Sequence, residues 1–232
     1  MRLNKYIAKA GVASRRKADI LIEDGLIKIN GEVVTNFGFQ LNDDDIVTYQ
    51  GKVISPESDV LYLLNKPRGY VCSNLDKHNK KNVFELIDSE SRLFTVGRLD
   101  RDTTGVLLIT NNGDLSYQLT HPKHGVEKKY YISSIKDIDN KNISELKKGI
   151  RLDDGIFVKA NLKRLYKEDG KIFWDISLTE GKNREIKRIF KNFKSKVISL
   201  HRYKFANIEL KSLKIGDYRK LNKREFDKIQ KI

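Results

Sequence analysis

The 232-residue sequence contains one cysteine, Cys72, which excludes an intramolecular disulfide framework and any cysteine-rich zinc site. No apolar run approaches the roughly 18 residues of a membrane-spanning helix. Met1 leads into a polar, helix-like stretch, not a secretory signal. No basic amphipathic helix carries a Trp- or Phe-rich apolar face, which disfavours a membrane surface as partner. Internal repeats and low-complexity tracts are also missing. The expected compartment is the cytoplasm.

What is present is positive charge. Lys and Arg number 46 against 31 Asp and Glu, a net charge of +15. With 39% hydrophobic and 33% charged residues the chain has the balance of a soluble globular protein. The excess points to a polyanionic partner, above all nucleic acid.

The first helical pattern covers residues 3–10, with Gly11 placed to stop it. Ser14 is a good N-cap for a second helix over 15–24, where Ala18, Leu21 and Ile22 form an apolar stripe and Gly25 the stop. A strand-like run, 26–29, ends in Asn30-Gly31, a tight-hairpin signal. Val33-Val34 and Ile46-Val47 suggest further short strands, joined by a loop containing Asp43 to Asp45. Residues 1–54 read as a small α+β module, 55–59 as a polar linker, and 60–232 as one larger α+β domain with a mainly antiparallel sheet. In that domain strands are expected at 61–65, 70–73, 94–98, 106–110, 129–135, 157–162, 172–178 and 197–210. Helices are expected at 83–87, 115–120, 143–148, 183–193 and 223–232.

Basic residues concentrate twice. Arg15, Arg16 and Lys17 occupy the first turn of the second helix, where the macrodipole disfavours cations by up to about 1 kcal/mol. That placement suits a phosphate held by the side chains and the free backbone N–H groups, with a merely solvated turn as the bland alternative. Between Gly181 and Lys204 nine basic residues face a single acidic one, Glu185, a local net of +8. There Ile186, Ile189, Phe190 and Phe193 recur at core spacing, while Arg184, Lys187, Arg188 and Lys191 repeat on another face.

The segment Gly97-Arg98-Leu99-Asp100-Arg101-Asp102-Thr103-Thr104-Gly105 places a carboxylate, Asp100, in a loop between apolar strands. Arg98 and Arg101 flank it and favour its ionised form, which suits a nucleophile or base as well as a structural ion pair. With Val106-Leu107-Leu108-Ile109-Thr110 following, this segment resembles the catalytic signature of the RsuA/RluB-type ribosomal RNA pseudouridine synthases. Four further matches occur in order along the chain. Arg2-Leu3-Asn4-Lys5-Tyr6-Ile7, Gly11-Val12-Ala13-Ser14-Arg15-Arg16-Lys17-Ala18 and Ile29-Asn30-Gly31 resemble the S-four-type RNA-binding domain of that family. Asn65-Lys66-Pro67-Arg68-Gly69 resembles its Lys-Pro element, Glu127-Lys128-Lys129-Tyr130 its Lys-x-Tyr strand, and Glu180-Gly181-Lys182-Asn183-Arg184-Glu185-Ile186-Lys187-Arg188 its last motif.

The resemblance implies an α+β fold with a small S-four-like domain ahead of a mainly antiparallel mixed-sheet catalytic domain. It implies that Asp100 is the catalytic carboxylate, that Tyr130 stacks on the target base, and that Lys187 is the cation paired with Asp100. The Lys-x-Tyr spacing selects Tyr130 over Tyr131, which strand alternation turns to the other face. RNA contacts are expected from Arg2, Lys5, Ser14, Arg15, Arg16, Lys17, Asn30, Arg98, Lys182, Asn183, Arg184 and Arg188. The reaction cleaves the glycosidic bond of a uridine flipped from its stack, turns the base and rejoins it through carbon. It needs a carboxylate, an aromatic ring and a cation, with no metal or other cofactor. The implied partner is ribosomal RNA or a ribosomal assembly intermediate, bound by a monomer. The Gly11 to Ala18 segment resembles large-subunit members more than small-subunit ones.

A non-catalytic RNA-binding assembly factor would share the same charge pattern, although it need not retain Asp100, Tyr130 and Lys187 together. A nuclease is a more distant reading, lacking a metal cluster or an evident acid–base histidine pair. Asp102 with Asp100, and His121 with His124, have too few partners for a metal site.

Overall fold

In the computed structural model, which describes residues 1–73 and 81–231, the chain forms two units. One comprises Met1–Val60 and Ser89–Leu93, the other Leu61–Asp88 and Phe94–Ile232.

In the smaller unit, α1 (Leu3–Lys9) ends at Ala10 and Gly11 turns the chain at φ +74°. Helix α2 (Arg15–Glu23) starts where the Ser14 hydroxyl accepts the Lys17 N–H at 3.2 Å, a cap worth about 1 kcal/mol. Its stripe of Ala18, Leu21 and Ile22 joins Leu3 and Ile7 of α1 in one core with Ile27 and Val47. Those last two belong to a sheet ordered β2-β1-β3-β4, from β1 (Ile27–Ile29), β2 (Glu32–Val33), β3 (Val47–Tyr49) and β4 (Lys52–Val53). Asn30 and Gly31 take φ +52° and +89°, the left-handed pair that a tight hairpin demands. Gln50 and Gly51 repeat this conformation between β3 and β4. The β3–β4 hairpin is not predicted by the sequence, because glutamine is a weak signal at that position.

The larger unit is built on a mixed sheet with the order β11-β12-β8-β13-β7-β5-β15. Its strands are β5 (Leu61–Lys66), β6 (Phe94–Thr95), β7 (Thr104–Thr110), β8 (Lys128–Ser134), β11 (Asn161–Glu168), β12 (Lys171–Leu178), β13 (Val197–Phe205), β14 (Ile208–Glu209) and β15 (Tyr218–Lys220), with β9 (Ile150–Arg151) and β10 (Phe157–Val158) pairing separately. Among the described residues all the ladders are antiparallel except β13 with β7, where His201 and Arg202 face Thr104 and Gly105 in parallel. Strand β7 is covered on both faces, which explains its unbroken apolar run. Leu61, Leu63, Val106 and Leu108 pack with Leu115 and Leu119 of α3 (Gly113–Thr120) and Ile229 of α6 (Lys223–Gln230). Helix α4 (Asn140–Lys148) is capped by Asp139, and α5 (Glu185–Asn192) buries Ile186, Ile189 and Phe190.

Several strand expectations need correction. Residues 70–73 form no strand: past Gly69, at φ +95°, only a bridge joins Val71 to Asn82. The 94–98 strand stops at Thr95, because Gly97 takes φ +69°. The 157–162 run is two strands, since the Ala160 N–H leaves the ladder to donate to Leu146 O at the end of α4. The 197–210 run breaks into a hairpin at Ala206, which adopts φ +55° without a glycine to announce it. Strands β9 and β15 have no counterpart among the expected elements.

Candidate active site

The loop between β6 and β7 carries Asp100, and its backbone is fixed from several sides. The Thr103 N–H closes a turn onto Asp100 O at 3.1 Å, and the Gly69 N–H donates to Arg101 O at 2.7 Å. Beneath it lies Lys66, fully buried at the end of β5. Its ammonium donates to the carbonyls of Pro67, Asp100, Arg101 and Thr103 at 2.9 to 3.4 Å. Burial lowers its pKa from the ordinary lysine value, with nearby anions opposing the shift. Lys66 thus serves as an internal clamp that leaves the Asp100 side chain free to project. The sequence presents Lys66 only as part of a family element and gives it no role.

Tyr130 enters from β8. It is buried, pairs with Ile176 and Arg202 on the neighbouring strands, and faces the cavity beside Asp100. Tyr131 points the other way, half exposed and stacked on Tyr203 at 4.2 Å. Under the Tyr130 ring sits Arg202, 2% exposed, its guanidinium 6.0 Å from that ring and 4.8 Å from Phe205. Its Nε donates to Val106 O at 2.7 Å. Gly105 permits this approach: a Cβ there would lie 2.2 Å from Arg202 O. Arg202 is one of the nine cations of the basic segment and is not singled out there, since a buried arginine looks like a surface one in sequence.

Helix α5 brings the third component. Glu185 Oε2 accepts the Lys182 N–H at 2.8 Å and closes the turn into the helix, and burial raises its pKa. With Phe190 edge-on against Trp174, the helix is anchored and Lys187 faces the loop. Its Nζ donates to Asp100 Oδ2 at 2.8 Å and to Asp102 Oδ1 at 2.6 Å. Burial pulls the Lys187 pKa down, but the two carboxylates outweigh it and hold the pKa above the ordinary value. For Asp102, burial pushes upward and the Lys187 hydrogen bond and charge leave the net shift downward. The sequence sets Arg98 and Arg101 about Asp100; among the described residues it is Lys187 that bonds the carboxylate.

The resulting cavity is lined by Asp100, Tyr130, Lys187, Arg98 and Arg184, with Leu178 and Leu200 as apolar walls. A second cavity shares Asp100, Arg184 and Lys187 and adds Arg68, Arg101 and Asp102. An ionised carboxylate, an aromatic ring and apolar walls suit a planar neutral base, with cations at the rim for its phosphates.

The other expected RNA contacts divide by state. Arg15, Arg16 and Lys17 are exposed. Arg2 is exposed at the N-cap of α1 and bridges Gln40, while Lys5 is partly buried. The Ser14 hydroxyl is used as a cap, and the Asn30 amide is held within the hairpin by Asp45 and the Ile46 N–H. Lys182 binds Glu180 and Phe157 O, and Arg188 binds Asp154 and the Asn183 carbonyl. Arg98 and Arg184 line the cavity. Among the described residues no three His, Cys, Asp or Glu side chains come together as a metal site, and no helix is long and apolar enough to cross a membrane.

An α+β sheet carrying a carboxylate–lysine pair and a buried tyrosine, in a chain that also holds a small helix-and-hairpin unit, fits an RNA-modifying enzyme with an added RNA-binding module. The RNA pseudouridylate synthase family matches residues 60–206 and the S4 domain residues 1–47. The chain belongs to the RNA pseudouridylate synthase family and is an isomerase of RNA uridine. Over its whole length it is 38% identical to ribosomal large subunit pseudouridine synthase B of Bacillus subtilis, spanning 96% of that protein. It is 32% identical to dual-specificity RNA pseudouridine synthase RluF of Escherichia coli, spanning 79% of it. It is also 32% identical to ribosomal small subunit pseudouridine synthase A of Haemophilus influenzae, spanning all of it. The crystal structure of a pseudouridylate synthase matches 99% of both chains with a TM-score of 0.70 at 31% identity.

Proposed function

We propose that the enzyme isomerises one uridine of ribosomal RNA, favouring the large subunit, with Asp100 as nucleophile or base. The observation that carries the reading is the 2.8 Å hydrogen bond between Lys187 and Asp100, residues 87 apart in sequence, in a cavity walled by Tyr130. Lys187 keeps the carboxylate charged and aimed. Tyr130 offers a stacking face for the flipped base, and Arg202 beneath it holds the ring in place. Once the bond from the sugar to the ring nitrogen breaks, the apolar walls and the tyrosine ring hold the detached uracil while it turns. The sugar then bonds to a ring carbon, which gives up its proton to a base while the freed ring nitrogen takes one up, so the reaction is mass-neutral. The large-subunit preference is supported by the Gly11 to Ala18 segment and by the Bacillus subtilis relative.

In this reading residues 1–54 grip the RNA, 55–59 link, and 60–232 carry the chemistry. The protein acts as a cytoplasmic monomer on free rRNA or an assembly intermediate. Carbodiimide labelling and primer extension on rRNA from cells with and without the protein test it. One pseudouridine lost from large-subunit rRNA is the expected result; a full set of pseudouridines without the protein would refute the reading.

A further inference from the structure

Lys187 does not hold Asp100 alone. Two carboxylates share its ammonium, Asp100 at 2.8 Å and Asp102 at 2.6 Å. The lysine side chain is 16% exposed, whereas that of Asp102 is 54% exposed. Asp102 therefore contributes little to packing, and an ion pair with so open a carboxylate adds little to stability. Its effect falls instead on the charge of the pair. A lone ammonium would neutralise Asp100 and dull its lone pairs; a second anion on the same ammonium divides that neutralisation and leaves the trio at a net charge of about −1.

We propose that Asp102 is a positioning residue for the isomerisation: it seats the Lys187 ammonium between two carboxylates and so keeps Asp100 a stronger nucleophile or base. The proposal rests on the roles given above to Asp100 and Lys187. The downward shift of Asp102 and the upward shift of Lys187 agree with an ion pair between these two groups. The other charged or titratable groups facing it come from every surrounding element. Arg98 and Arg101 lie on the same loop, and Lys66 and Arg68 at and after the end of β5. Lys182, Arg184 and Glu185 open α5, Tyr130 stands on β8 and Arg202 on β13. Among the described residues, Asp102 is the group whose side chain shares a hydrogen-bond donor with the Asp100 carboxylate.

The test uses the full chain carrying Asp102→Asn or Asp102→Glu, with kcat and kcat/KM followed against pH on an rRNA fragment containing the modified uridine. In parallel, the Asp100 carboxylate carbon, assigned by its loss in Asp100→Asn, is titrated by NMR without RNA. Removing the Asp102 charge makes the Asp100 carboxylate easier to form and less basic. The acid limb of kcat/KM in Asp102→Asn should move to lower pH by about half to one unit. The NMR titration should move the same way, and plateau kcat should fall several-fold with KM unchanged or lower. Asp102→Glu should restore limb and rate. An acid limb and a titration in Asp102→Asn that coincide with those of the parent protein would overturn the proposal, as would an Asp102→Glu protein behaving like the amide. Were the parent protein to form no pseudouridine, the function above would fall, while the NMR titration would still decide the role of Asp102.

Discussion

Helices α2 and α5 both begin among cations, yet the two sets end up in different states. Arg15, Arg16 and Lys17 are exposed, and among the described residues their side chains bond nothing. No acidic residue occupies that first turn. At α5 a carboxylate stands in the first turn, and Lys182, Lys187 and Arg188 are all engaged with protein groups. Charge counted along a sequence therefore overstates what a ligand can use. The open trio is the proposed phosphate grip, while the engaged trio is tied to protein groups and, in the function proposed above, arms a carboxylate. A local net of +8 over Gly181 to Lys204 conceals that difference.

The sharpest test of this contrast removes the anion that the engaged set serves. Asp100→Asn keeps shape but cannot attack or accept a proton, so turnover should fall by at least about a thousandfold. RNA affinity, carried by phosphate contacts elsewhere, should stay within about twofold. Single-turnover rates and filter binding read the two separately.

Lys187→Ala should lower kcat by about a hundredfold, since a preorganised charge at the reacting carboxylate is lost. Lys187→Arg should retain more activity than alanine. A rise in KM at full kcat would instead place Lys187 with the open cations and break the comparison.

A smaller effect is expected at α2. Replacing Arg15, Arg16 and Lys17 together by Ala should make the salt dependence of binding shallower, by about 0.7 to 0.9 in log–log slope for each phosphate partner removed. The saturated rate should barely change. A salt titration with an unchanged slope would show this turn to be only solvated.

How much of this is legible in the sequence depends on distance along the chain. The cap at Ser14 and the Asn30-Gly31 turn are local chemistry, read directly from neighbouring residues. The hairpin at Ala206 escapes notice because its left-handed residue is an alanine inside an apolar run. Residues 97–105 alone suggest a carboxylate beside Arg98 and Arg101. The lysine that bonds it lies 87 residues away, and only the family resemblance brings the two together. In the sequence Asp102 lacks the partners of a metal site; its actual partner is an ammonium that no local pattern reveals. Lys66 looks like any strand-end lysine until the four carbonyls around it are seen.

The smallest predicted effect concerns a third kind of cation, buried and, among the described residues, hydrogen-bonded to carbonyls and to no carboxylate. Lys128 donates to Val126 O and Thr179 O at 2.8 and 2.9 Å. Burial, reinforced by Arg202, lowers its pKa from 10.5 to about 8. The unfolded chain keeps that proton up to about pH 10.5 while the folded protein releases it near 8, so this group's contribution to stability grows as pH rises through that window. Urea unfolding at pH 7.5 and 9.5 should show the stability gap between the parent and Lys128→Met changing in the parent's favour at the higher pH.

Strand β13 lies between β8 and β7, antiparallel to one and parallel to the other. Until residues 197–205 are inserted, the strand bearing Tyr130 and the strand that follows the Asp100 loop have no ladder between them. Pairings such as Arg202 with Gly105 span nearly a hundred residues, and contacts so distant in sequence carry a large loop-closure cost and close slowly. On one side of β13 lie β8, β12 and β11, on the other β7, β5 and β15, and among the described residues this strand alone joins the two groups. The strand bearing Tyr130 and the strand leaving the Asp100 loop are thus held in one sheet by its last central strand in chain order.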